Sequence, residues 1–171
     1  LDPSFGETTI DLRDLAGLTA LRRLDLSTNA LRHPEELGQL RKLQSLDLRW
    51  CYLADVGGDP EDGPGAELLL PHLHALPELQ RLAIGPYYGP PADLYPLLTL
   101  PALQMLAFEG DPPDLTPLAE HESLRLIFAP STYGSPLRGV ESLKEREVTI
   151  DQDHNSLAWK WFGEPVSPLN P

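Results

Sequence analysis

A pattern of leucines repeated in two registers constrains this chain more than any other feature. Residues 21–31 read LRRLDLSTNAL and residues 43–53 read LQSLDLRWCYL. Both fit L-x-x-L-x-L-x-x-N/C-x-L, with Asn29 and Cys51 at the position where such a unit turns its backbone. LQRLAIGPY at 79–87 and LQMLAFEGD at 103–111 keep the first part of the pattern. SLRLIFAPS supplies Leu124, Ile127 and Ala129, and EREVTIDQD supplies Val148 and Ile150. The middle apolar position falls at 24, 46, 82, 106, 127 and 148, at intervals of 22, 36, 24, 21 and 21 residues. A second register runs beside the first. Leu15, Leu37, Leu73, Leu97, Leu118 and Leu137 each stand six residues before Leu21, Leu43, Leu79, Leu103, Leu124 and Leu143, with Leu18, Leu40, Leu76, Leu100, His121 and Val140 between them. Leucine richness alone does not keep two registers in phase, so each period is one structural unit that buries its apolar side against its neighbours.

From about residue 10 to 153 these motifs resemble the leucine-rich repeat family. The fold class that the resemblance implies is an α/β right-handed solenoid, or horseshoe, with a parallel concave sheet and short helical or 3-10 convex segments. The alternation points Leu24/Leu26, Leu46/Leu48, Leu82/Ile84, Leu106/Phe108, Ile127/Ala129 and Val148/Ile150 inward. Convex segments are expected near 35–41 and 70–76. Pro96 and Pro117 suit the start of such a segment, where a missing donor costs nothing. Residues 1–171 read as a single domain with an acidic loop insertion at 54–67 and a C-terminal cap and tail at 154–171, in which Trp159, Trp161 and Phe162 close the last coil. The segments DLRDLAGLTALRRLDLS and DLTPLAEHESLRLI also resemble the repeats of bacterial leucine-rich proteins, including the C-terminal sensor arrays of NLR-like proteins with a NACHT domain. That resemblance implies a bacterial repeat module that senses a ligand or restrains a separate nucleotide switch. Internalin-like surface proteins have similar repeats and give the competing expectation, adhesion.

Composition narrows the chemistry. Thirteen basic against 26 acidic residues give a net charge of −13, which repels a phosphate backbone, so no nucleic-acid partner is expected. One cysteine allows neither a disulfide framework nor a thiolate zinc site. The five histidines are dispersed, and His72 and His74 do not share a helix face. No nucleophile elbow, phosphate-cradling glycine loop or dinucleotide fingerprint occurs, so neither an enzyme nor a cofactor is expected. No apolar run is long enough for membrane insertion, and LDPSFGETT lacks the basic and apolar regions of a leader. A start at Leu1 reads as a segment of something longer or a chain that has lost a leader. On these grounds a cytoplasmic location is expected.

Protein or peptide recognition remains, with another domain of the parent protein as one candidate partner. The side chains read as facing out of the strands are mixed and polar in the first half, then include Met105, Leu126 and Phe128. These three form a candidate apolar patch, unless Leu126 and Phe128 are instead the inward pair of a degenerate coil. Just after the strands stand Trp50 and Tyr52, then Tyr87 and Tyr88, then Tyr133. Aromatics there offer large contact area at small entropy cost, either to a partner or to the insertion. A structural cap or spacer role is the alternative. The insertion ADVGGDPEDGPGAE carries acids without a base, but its spacing is not that of a calcium loop.

Overall fold

The computed structural model describes residues 8–54, 66–85, 93–110, 114–130 and 136–153. Six short strands form one parallel sheet in sequence order: β2 (Arg23–Asp25), β4 (Ser45–Asp47), β6 (Arg81–Ile84), β7 (Met105–Phe108), β8 (Leu126–Phe128) and β9 (Thr149–Asp151). A smaller parallel sheet joins β1 (Thr9–Asp11), β3 (Ala30–Arg32) and β5 (Tyr52–Leu53). Leu24, Leu46, Leu82, Leu106 and Ile127 stand in one row across the large sheet, as the repeat spacing requires. The next member of that row is Ile150. The expectation that Val148 holds this position is therefore corrected by two residues. Val148 lies just before the strand and is still buried, because a shift of two keeps a side chain on the same face.

The convex side consists of 3₁₀ segments at Leu12–Leu15, Pro34–Gln39, Ala66–Ala75, Tyr95–Thr99 and Thr116–Glu120, and of one α-helix, α1 (Val140–Glu145). Their local cause is legible. Asp11, Asp93 and Asp114 each accept the backbone N–H two residues on, at 3.1, 2.9 and 2.8 Å, which turns the chain into the segment. Pro34, Pro96 and Pro117 follow in the first turn. The sixth segment, α1, has neither device and is α-helical, whereas Ala66–Ala75 is 3₁₀ with its proline, Pro71, in the interior. Leu37, Leu73, Leu97, Leu118 and Leu143 from this side meet the inward strand residues in one continuous core with no solvent exposure. Within the expected 54–67 insertion, residues 55–65 lie outside the described residues, and the segment Ala66–Ala75 begins at its end.

The repeat turn is built differently in two successive coils. Asn29 Nδ2 donates to the carbonyls of Leu26 and Ser27 at 3.1 and 2.8 Å. In the next coil Cys51 Sγ reaches the same Leu26 carbonyl at 3.0 Å. Burial pushes the Cys51 thiol up to about 12, so it acts as a weak donor and not as a nucleophile.

Candidate functional site

Two parallel rows cross the face of the sheet opposite the core. One runs Arg23, Ser45, Arg81, Met105, Leu126 and Thr149; the other runs Asp25, Asp47, Ala83, Ala107, Phe128 and Asp151. In β8, Ile127 belongs to the core while Phe128 belongs to a separate cluster with Ala83 and Ala107. The alternative in which Leu126 and Phe128 point inward is thereby excluded. Exposure along the rows is uneven. Arg23, Asp25 and Thr149 at the two ends are open to solvent, and Leu126 is half-buried. Between them Ser45, Asp47, Arg81, Ala83, Met105, Ala107 and Phe128 form a belt in which no residue is more than 8% exposed. Met105 and Phe128 thus occupy the concave face expected of them but are enclosed, so they offer no open apolar patch.

Asp47 anchors the polar end of this belt. Its carboxylate accepts the Arg49 backbone N–H at 3.1 Å and holds the Arg49 guanidinium through Nε at 2.9 Å and Nη2 at 2.6 Å. Arg49 Nη1 also approaches Glu109 at 3.6 Å. Burial works to lower the Arg49 pKa, and the Asp47 and Glu109 carboxylates overcome it, leaving the group raised. A guanidinium held in this way is committed to orienting its neighbours.

Trp50 lies at the end of this arrangement, 37% exposed, with its backbone in the left-handed region at φ 58°. Its N–H donates to the Gly85 carbonyl at 2.6 Å, which fixes the turn across two coils. Tyr52, in β5, is half-buried. Tyr87, Tyr88 and Tyr133 lie outside the described residues, as do Trp159, Trp161 and Phe162. Repeat spacing did not single out Asp47, Arg49 and Glu109 as one polar system. The D-x-R spacing of Asp47 and Arg49 is the only local signal for it. Among the described residues no group of three or more His, Cys, Asp or Glu side chains is placed to hold a metal ion, and no helix is long and apolar enough to cross a membrane.

Parallel strands in sequence order, 3₁₀ segments on the far side and a capped turn after each of the first two full repeats define a leucine-rich-repeat solenoid. Solved structures with similar folds include two internalins of Listeria monocytogenes. One, inlF, is 18% identical with a TM-score of 0.53, over 80% of this chain and 35% of its own. Internalin C2 is 23% identical with a TM-score of 0.53, over 80% of this chain and 53% of its own. The chain thus spans between a third and somewhat over half of the length of these structures. No family model matches it, and no curated protein does. The fold is internalin-like. The expectation of a cytoplasmic location is corrected by this likeness, because internalins are secreted or surface-anchored proteins. That expectation rested on a missing leader, which carries no weight in a sequence that spans part of its relatives.

Proposed function

We propose that this chain is a protein-recognition module whose contact surface is the open polar end of the concave sheet together with the edge marked by Trp50. The observation that carries this is the Trp50 side chain, exposed on a left-handed backbone that a bulky residue adopts only at an energetic cost. An exposed aromatic in the turn after β4, on the same sheet as exposed Arg23 and Asp25 of β2, supplies the elements of a binding hot spot with a polar rim. Tyr52 and the half-buried Leu126 extend the candidate surface; Tyr87, Tyr88 and Tyr133 remain candidates from the sequence and lie outside the described residues. Met105 and Phe128, enclosed in the belt, do not belong to that surface. The likeness to internalins supports adhesion to a protein surface over the role of an NLR-like sensor array attached to a NACHT domain. It also favours recognition over a bare spacer.

The test compares the native chain with Trp50→Gly in capture experiments against bacterial and host surface proteins, followed by affinity measurement on any protein captured. A hot-spot role predicts a loss of at least ~30-fold in affinity, corresponding to about 2 kcal/mol. Capture that is indifferent to the substitution, or none by the folded native chain, overturns the reading.

A further inference from the structure

His121 interrupts the convex register at the junction between two coils. Leu40, Leu76 and Leu100 hold the corresponding position in the coils before it and are at most 1% exposed. The histidine is buried there as well. Its ring lies against the preceding coil, where the carbonyls of Leu97 and Leu100 are close enough to favour its charged form. Ser123 Oγ, 3.4 Å from Nδ1, donates to the Leu103 carbonyl of that same coil at 3.0 Å. The hydroxyl oxygen is left to accept from Nδ1–H, and Nε2 is buried with no hydrogen-bond partner. A neutral ring leaves one lone pair unused at modest cost. A protonated ring puts a charge and an unsatisfied N–H at the same enclosed point.

The surrounding charges do not offset that cost. Glu120 and Glu122, which flank His121 in sequence, are exposed. The 3₁₀ segment Tyr95–Thr99, packed against Thr116–Glu120, brings no charged residue. From α1 and the residue after it come Glu141, Lys144, Glu145 and Arg146, all exposed. Arg146, whose guanidinium donates to the Ala119 carbonyl, acts on the ring as a cation and disfavours a second positive charge.

We propose that His121 is an acid-operated latch between the coil of β7 and the coil of β8: protonation of its imidazole opens the junction and releases residues 114–130 and 136–153 from the rest of the array. Opening hydrates the imidazolium, which the closed junction does not. The break falls at this place because a solenoid holds each coil only through its neighbours, so loss of one junction frees what lies beyond it. Two coils are too few to keep a continuous core of their own. Across the junction the Arg125 and Leu126 N–H groups donate to the Gln104 carbonyl at 2.9 and 3.0 Å, and Met105 and Ala107 stand beside Leu126 and Phe128. Opening therefore parts the apolar row of the concave belt and brings Phe128 to solvent. An acidic environment would turn an enclosed apolar face into an exposed one.

The direction with pH follows from the closed state. Burial holds the ring below the usual imidazole value of 6.5, and the nearby carbonyls oppose this only in part. Above that value neither state takes up the proton; below it the opened state does so first. At pH 5 the gain in opened population is bounded at ~30-fold, the protonated-to-neutral ratio of an ordinary imidazole.

Native-state hydrogen exchange on the full chain at pH 7.5 and pH 5, corrected for intrinsic exchange rates, tests the latch. Protection at the amides of Arg125, Leu126 and Thr149 should fall at pH 5 by between ~3-fold and ~30-fold. The amides of Gln80 and Arg81, which donate to the Gln44 carbonyl in coils nearer the other end, should keep theirs. In His121→Leu the fall at the first three amides should vanish. His121→Gln, which takes no charge, should abolish it too and stands in if the leucine variant misfolds. Unchanged protection in the native chain overturns the proposal. So does an equal fall at all five amides, or a fall that persists in the folded variants.

Discussion

Trp50 and His121 are the two residues whose local chemistry departs most from what their repeat positions require. Thr28 and Trp50 occupy equivalent turns, with φ of 62° and 58°. A non-glycine residue there costs about 1–2 kcal/mol. Replacing Trp50 with glycine removes that strain together with the side chain's partial packing. Thermal and urea unfolding of Trp50→Gly should therefore stay within about 1 kcal/mol of the parent while binding falls. His121 takes a position held elsewhere by leucine or valine, and is 4% exposed. Its Nε2 has no hydrogen-bond partner, and Nδ1 stands 3.4 Å from Ser123 Oγ. Burial, with a smaller contribution from Arg146, holds its pKa below the usual imidazole value of 6.5, partly opposed by nearby backbone carbonyls. The unfolded chain then binds the proton more readily, so His121's contribution is fully present above pH 6.5 and declines as pH falls below it. His121→Leu should unfold at a higher temperature than the parent, with a gap that widens from pH 7 to pH 5. A constant gap would show that the imidazole does not titrate with folding.

At the scale of elements, the strand-to-turn junctions depend on close backbone approach. Gly85, at φ 107°, leaves no room for a Cβ, which would collide with the Glu109 carbonyl. Gly85→Ala should cost on the order of 1–3 kcal/mol and loosen β6 against β7. Amide exchange at Trp50, whose N–H donates to the Gly85 carbonyl, should quicken in the same variant. The convex segments Tyr95–Thr99 and Thr116–Glu120 were legible because the Asp-Leu-x-Pro at 93–96 and 114–117 carries its own cap and its own restriction of φ. The last strand was legible only to within two residues. There α1 replaces a 3₁₀ segment and Glu147 takes a positive φ of 61°, so the count of residues between registers changes without any change in the apolar alternation.

For the whole molecule, stability comes from coils leaning on their neighbours, so position along the array sets the cost of a cavity. Leu106 is fully buried in the middle of the sheet, whereas Ile150 is half-buried in its last strand. Leu106→Ala should cost about 2–5 kcal/mol and lower one cooperative urea transition. Ile150→Ala should cost clearly less and act mainly on the last coil. Equal losses would mean that the end of the array is as tightly enclosed as its centre. Sequence alone determined the repeat, the inward set of side chains and the parallel order of strands, because periodicity encodes which face of each strand is buried. It left Phe128 open between an outward and an inward position, and only the placement of Ile127 in the core decided it. Whether such a residue is open or enclosed was decided by the tertiary structure. Phe128 and Met105 share their outward direction with Arg23 and Asp25, yet only the latter meet water. Direction is a property of the strand's own alternation, whereas exposure depends on what long-range folding lays over the face, and no local pattern specifies that.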